Sequence, residues 1–225
     1  MDEHCKRVLE LRIQKTMKNL EKNNMKPYYA PTKEEAVKLV ESLMKEGETI
    51  SCGGTMTMRD CGIRDLMLSG KYEFLDRDRP GITPEEIQEI YRKAFWADTY
   101  LTSANAVTEN GELFNVDGNS NRVAAIVFGP KSVIVVAGYN KIVADLDEAV
   151  LRVKKIAAPA NGCRLHTGTP CEKTGECISC AQGKSAGMTD GCHSAGRMCC
   201  SYVVSAAQRH KDRIKVILVG EPLGY

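Results

Sequence analysis

Between Thr102 and Lys141 the chain reads TSANAVTENGELFNVDGNSNRVAAIVFGPKSVIVVAGYNK, a stretch that no single element can accommodate. Asn110-Gly111 lies between Val107-Thr108-Glu109 and Glu112-Leu113-Phe114, which predicts a two-residue hairpin whose central residues both take positive φ. Asp117-Gly118-Asn119-Ser120-Asn121 holds more turn formers than one reversal needs. Arg122 then opens an apolar run, Val123 to Phe128, which reads as a short helix closed by Gly129-Pro130. The β-branched run Val133 to Ala137 fits a parallel strand covered on both faces. A Gly/Asn loop at a helix start beside an arginine offers backbone amides and a guanidinium to an anion. Asn105, Asn115, Asp117, Gly118, Asn119, Arg122, Asn140 and Lys141 are therefore candidate contacts for a small polar ligand, against the plainer reading of a surface turn with a solvated arginine.

The rest of the chain frames this stretch. Leu9, Ile13, Met17 and Leu20 recur at helical spacing, so residues 3–23 predict an amphipathic helix. Lys26–Ala30 follows as a short strand, and Thr32 with Glu35 caps a helix whose buried face is Val37, Val40, Leu43 and Met44. Thr49–Cys52 is a strand running straight into Gly53-Gly54-Thr55-Met56-Thr57. Paired glycines and hydroxyls after a strand bring backbone amides up to an anion, so Gly53, Gly54, Thr55 and Thr57 join the candidates, and helix amides here would lower the pKa of Cys52. The spacing matches neither a dinucleotide fingerprint nor a P-loop. Tyr72–Leu75 reads as a strand, Thr83-Pro84-Glu85-Glu86 opens a helix, and Asp98–Ser103 is the strand that enters the central stretch. Asp145 with Glu148 caps a helix lined by Leu146, Val150 and Val153, and Ile214–Val219 is a last, fully apolar strand. The alternation predicts an α/β fold, a layered and mostly parallel sheet flanked by helices, with a β-hairpin inserted near its ligand edge.

Composition narrows the class of protein. With 31 basic and 29 acidic residues the net charge is +2, which leaves no footprint for nucleic acid or an anionic membrane. No apolar run approaches the roughly 20 residues that cross a bilayer, and the charged N-terminus MDEHCKRVLELR lacks a signal segment. A cytosolic protein is expected, in which ten cysteines read as metal ligands or core thiols rather than disulfides. Seven of them fall between Asn161 and Cys200 with seven glycines and little apolar periodicity, so residues 161–211 read as a cysteine-rich metal-binding segment beside a domain formed by 1–160 and 212–225. Cys171, Cys177 and Cys180 make a C-x5-C-x2-C run that one compact loop can present to one centre. Four thiolates from irregular loops suit an iron–sulfur cluster, while zinc is the alternative, completed by Cys199-Cys200 or His193.

These residues carry a resemblance. SCGGTMTMRDCGI, the central motif, VIVVAGYNKIV and the terminal ILVGEPLGY together resemble the lactate-utilisation domain family, and TPCEKTGECISC with a later Arg197-Met198-Cys199 resembles the tail of its single-domain members. The resemblance implies a fold similar to the sugar-phosphate isomerase and CoA-transferase superfamily, with a ligand site over strand ends. It implies a role in 2-hydroxy-acid (lactate) oxidation beside iron–sulfur and oxidoreductase partner subunits. By position, Cys199 joins Cys171, Cys177 and Cys180 as metal ligands, for a cluster of the four-iron, four-sulfur type; an insertion from Ala181 to Gly196 leaves Cys192 and Cys200 as substitutes.

Three functions follow. The first is a component of lactate oxidation that binds a small anionic substrate and a metal cluster. The second is a CoA- or acyl-transferring enzyme with Glu109 as nucleophile or base and Asn105 and Asn115 as donors. The third is a non-catalytic, zinc-held scaffold. Each is compatible with a homo-oligomer.

Overall fold

The computed structural model of the chain describes residues 2–181 and 187–225, so part of the tail's insertion, residues 182–186, lies outside the described residues. The strands are β1 (Lys26–Ala30), β2 (Thr49–Cys52), β3 (Glu73–Phe74), β4 (Thr99–Thr102), β5 (Ala106–Thr108), β6 (Leu113–Asp117), β7 (Ser132–Gly138), β8 (Ile142–Val143), β9 (Ser201–Ser205) and β10 (Ile214–Val219). The helices are α1 (Glu3–Lys22), α2 (Lys33–Ser42), α3 (Met56–Asp60), α4 (Ile63–Met67), α5 (Pro84–Lys93), α6 (Asn121–Phe128), α7 (Leu146–Arg152), α8 (Ala158–Leu165), α9 (Pro170–Thr174) and α10 (Ile178–Ala181).

Six strands form one wholly parallel sheet in the order β1-β10-β7-β4-β2-β3. Its central strands are buried on both sides, as their continuous apolar runs require. Successive side chains divide between two cores, as the period of two dictates. Val133, Val135 and Ala137 of β7 with Val216 and Leu218 of β10 meet Ile13 and Leu20 of α1 and Ile126 of α6. Ile134, Val136, Ile217 and Val219 face the other way, onto Ala36 and Val40 of α2, Met58 of α3, and Ile63 and Met67 of α4. Cap chemistry sets the helix starts. In α5 the Thr83 hydroxyl accepts from the Glu86 amide at 3.2 Å while Glu86 accepts from the Thr83 amide at 2.8 Å, a reciprocal box.

The central stretch departs from the expected hairpin. Thr108 N donates to Glu112 O and Gly111 N to Thr108 O, and of the turn residues only Gly111 has positive φ, at 83°. This is a three-residue loop, a turn followed by a left-handed glycine, which restores the strand twist with one positive φ instead of two. A Cβ on Gly111 would lie 2.5 Å from the Asn19 carbonyl carbon, so the turn is pressed against α1.

Nor is the hairpin a simple insertion. It forms half of a second sheet, ordered β8-β5-β6-β9, in which β9 pairs antiparallel with β6 from Leu113↔Ser205 to Asp117↔Ser201. The cysteine-rich segment thus ends in a strand of the domain. At its other end, α7 runs through a π-helical turn, Val153–Ala157, into α8, which crosses the boundary expected at residue 160. Ala149, Val150 and Val153 pack this helix onto Phe114 and Val116 of the second sheet. No described helix is long and apolar enough to cross a membrane.

Candidate functional site

The strand ends of the parallel sheet open into a cavity of about 440 Å³. Cys52 at the end of β2, Ser103 after β4, Lys141 after β7 and Tyr225 beyond β10 all line it. A parallel sheet leaves such a crevice where its carboxyl ends diverge.

Lys141 sits at the floor of this cavity. Its side chain is buried, and Nζ donates to Thr57 Oγ1 at 2.9 Å and Ser103 Oγ at 3.0 Å. No carboxylate pairs with it among the described residues. Burial first, and then the charges of Arg152 and Arg122, bring its pKa down to about 7, with Asp60 opposing. Arg152 is itself buried; its Nε and Nη1 donate to the carbonyls of Asn140 (3.0 Å) and Asn105 (2.6 Å), and desolvation lowers its pKa to about 10.

Arg77 contributes a second cation to the cavity. Its guanidinium stacks 5.4 Å from the centre of the Tyr91 ring and Nη1 donates to the Tyr91 hydroxyl at 3.2 Å. Among the described residues its buried Nε has no hydrogen-bond partner, and Asp78 stands 3.8 Å from it. A Cβ on Gly54 would lie 2.5 Å from Arg77 Nη2, so the guanidinium lies directly over the glycine turn. Neighbouring Arg64, by contrast, is satisfied by both Asp76 oxygens, at 2.8 and 2.9 Å.

The structure sorts the residues anticipated from sequence. Gly53, Gly54 and Thr55 line the cavity, as do Asn105, Asp117, Gly118, Asn119, Arg122 and Lys141. Thr57 lies just beneath, against the Lys141 amine. Arg122 does not serve as an anion clamp. Nη1 donates to Ser103 O and Asn115 Oδ1 and Nη2 to Asn105 Oδ1 and Val116 O, while Asp117 stands 3.6 Å from Nε. A guanidinium with its donors so committed braces the loop instead of holding a ligand. Asp117 likewise accepts from the Asn119 and Val123 amides, so the start of α6 already has its anion. Asn115 is buried and spent on Arg122. Asn140 accepts from Leu223 N and donates to Gly224 O, pinning the C-terminal strand exit outside the cavity.

Two further expectations are corrected. Glu109 does not line the cavity: its carboxylate takes Arg12 Nε at 2.6 Å and Lys15 Nζ at 2.8 Å, which tie the hairpin to α1. Burial raises its pKa less than those bonds lower it, so it stays a carboxylate engaged in structure, remote from any acyl group in the cavity. Cys52 is buried, and desolvation pushes its thiol up to about 11 even though Arg77 and Arg64 act in the opposite sense. Arg77, Ser103 and Arg152 went unnoticed in the sequence. Ser103 follows a strand end directly, a position that carries a usable signal; Arg77 sits in the charged run DRDRP, where nothing local distinguishes it.

A smaller cavity, about 30 Å³, lies alongside and is walled by Cys171, Cys177, Cys192 and Cys199. Val153, Ala158, Met198 and Cys199 line both cavities. Three of the thiols have a hydroxyl two residues away: Thr169 with Cys171 (3.3 Å), Ser179 with Cys177 (3.2 Å) and Ser194 with Cys192 (3.3 Å). Arg197 gathers the loop by donating to the carbonyls of Cys192 and Cys199, both at 2.8 Å. Gly118 lets this loop close on the first: a Cβ there would meet Met198 O at 3.2 Å. Cys180 sits one turn beyond Cys177 and does not line the cavity. Burial, then the Cys171 and Cys177 sulfurs, push Cys199 up to about 11. Such sulfur crowding is what a bound cation offsets. Among the described residues no three His, Cys, Asp or Glu side chains are grouped as ligands of one metal ion. Thiolate is the donor type that an iron–sulfur cluster takes, and four cysteines line this one cavity without being gathered round a single point.

A cavity at the carboxyl ends of a wholly parallel sheet, lined by Lys141, Arg77 and Arg122, defines an α/β protein with a crevice at its strand ends. The family model described as LUD domain matches residues 13–219, and the chain belongs to that family, which is associated with lactate utilisation. It is similar to the crystal structure of a DUF162 family protein from Deinococcus radiodurans, with 14% identity and a TM-score of 0.49 over 95% of this chain and 98% of that one. A more partial likeness, to eIF2B beta from Chaetomium thermophilum, has 12% identity and a TM-score of 0.32 over 48% of this chain and 38% of that one. No curated protein matches.

Proposed function

We propose that the chain is a cytosolic component of 2-hydroxy-acid oxidation that binds a small carboxylate in the larger cavity and an iron–sulfur cluster at the cysteine cavity, working beside oxidoreductase partner subunits. The observation that carries this reading is the common wall: Met198 and Cys199 separate the two cavities, so a bound anion and the thiols are neighbours. Arg77, whose Nη2 lies over Gly54 on the cavity wall, would hold the carboxylate. Lys141 would hold or release a proton at Nζ beside the bound hydroxyl, and Met198 would keep water out of the partition. Cys171, Cys177 and Cys199 would hold the cluster, with Cys192 as the fourth thiol in place of Cys180. A cluster there supplies one-electron transfer.

Purification without oxygen tests the metal. A brown protein with thiolate-to-iron charge-transfer bands is expected, whereas a colourless protein with one zinc per chain would shift the reading to a scaffold. Growth of a deletion strain on lactate tests the pathway, and unimpaired growth in a strain with no paralogue overturns it.

A further inference from the structure

Lysines buried in protein interiors are ordinarily matched by a carboxylate, because an unpaired ammonium is costly to desolvate. Lys141 is 2% exposed, and its amine meets two neutral hydroxyls. Asp60, whose charge favours the ammonium, is engaged with the Gly224 amide at 3.0 Å. The other charges around it are the cations Arg152 and Arg122, both committed to carbonyl acceptors. Burial and those two cations favour the uncharged amine, the form that attacks a carbonyl carbon.

Arg77 stands across the same turn. Its Nη2 lies over Gly54, while Thr57, three residues on, touches Lys141. Three residues span no more than about 11 Å even when fully extended. Both groups line the same cavity, a carboxylate holder and a nucleophile on its wall.

We propose that Lys141 forms an imine with the carbonyl carbon of a 2-oxo acid whose carboxylate is held by Arg77. The inference rests on the anion-binding reading of the cavity and names its substrate class. The Nζ–C bond forms as the carbonyl π bond opens to a hydroxyl. That oxygen then departs as water, taking the two protons that the amine gives up, and no oxidant or reductant takes part. Ser103 Oγ and Thr57 Oγ1, at 3.0 and 2.9 Å from Nζ, are placed to pass the proton to the departing oxygen.

The test is reductive trapping. The full-length protein is incubated with pyruvate and cyanoborohydride, digested and mapped by mass, while pyruvate binding is measured separately by calorimetry. One reduced adduct per chain is expected, on Lys141, and excess lactate, which has no carbonyl, should suppress it. Arg77→Gln should slow trapping at low pyruvate by about tenfold, the loss of one charge-assisted anchor. Mapping the unaltered protein makes the result independent of whether Lys141→Met folds. Binding without an adduct on Lys141 overturns the imine and leaves the anion site standing. Neither binding nor adduct overturns both. Adducts spread over surface lysines, unchanged in Lys141→Met, also overturn the imine.

Discussion

Replacing Lys141 by methionine should alter the pH dependence of stability more than its size at any one pH. In the folded chain the amine titrates at about 7, because burial and then Arg152 and Arg122 disfavour its charge. In the unfolded chain a lysine titrates at about 10.4. Between these values the unfolded chain holds a proton that the folded chain lacks, so the unaltered protein gains stability as pH rises, by up to about 1.4 kcal/mol per pH unit. Below pH 7 both states carry the proton, and the buried ammonium costs on the order of 4–5 kcal/mol relative to pH above 10. Methionine carries no such proton. It also forfeits the bonds to Thr57 and Ser103, at about 1 kcal/mol each, but that loss does not vary with pH. Urea unfolding at pH 6, 7, 8 and 9, at constant ionic strength, gives the difference between the two proteins, from which other titrating groups cancel. The stability of the unaltered protein relative to the variant should rise by about 2 kcal/mol between pH 7 and 9. A flat difference across that window would mean the folded amine keeps its proton, and the argument from burial would fail.

Glu109→Gln should cost on the order of 1 kcal/mol by loosening Arg12 and Lys15 while leaving the binding of small acids unchanged. Because its folded pKa is lowered, the carboxylate's contribution is present at neutral pH and fades as pH falls through that value; lost ligand binding at unchanged stability would return Glu109 to the site. Gly111→Ala should destabilise by more than the roughly 1 kcal/mol of a left-handed alanine, since its Cβ would also strike the backbone at Asn19; a thermal midpoint equal to that of the unaltered protein refutes the packing of the turn on α1. Alanine at Cys171, Cys177, Cys192 or Cys199 should strip bound metal, while alanine at Cys5, Cys61 or Cys163 should not. Metal retained by Cys192→Ala and lost by Cys180→Ala would restore Cys180 as the fourth ligand.

Much of the sheet was legible because burial leaves a local imprint. Val133–Ala137 and Ile214–Val219 are apolar at every position, and only strands covered on both faces are built that way. The box at Thr83 and Glu86 and the glycine pair after Cys52 are equally local, and both fall where the fold needs them. What tertiary structure decided concerns partners far apart in the chain. Nothing in Ser201–Ser205 announces that it will pair with β6, so a hairpin that looked like an insertion became half of a second sheet. Charged side chains were the hardest to read, since their chemistry depends on which acceptors folding brings to them. Arg122 lost its free donors to Asn105, Asn115 and two carbonyls, and Glu109 was taken by α1. Arg77, one arginine among several in a polar loop, keeps a nitrogen without a hydrogen bond among the described residues, which only the folded cavity reveals. Residue type announces what a group can do; the neighbours supplied by the rest of the chain determine whether it remains available to do it.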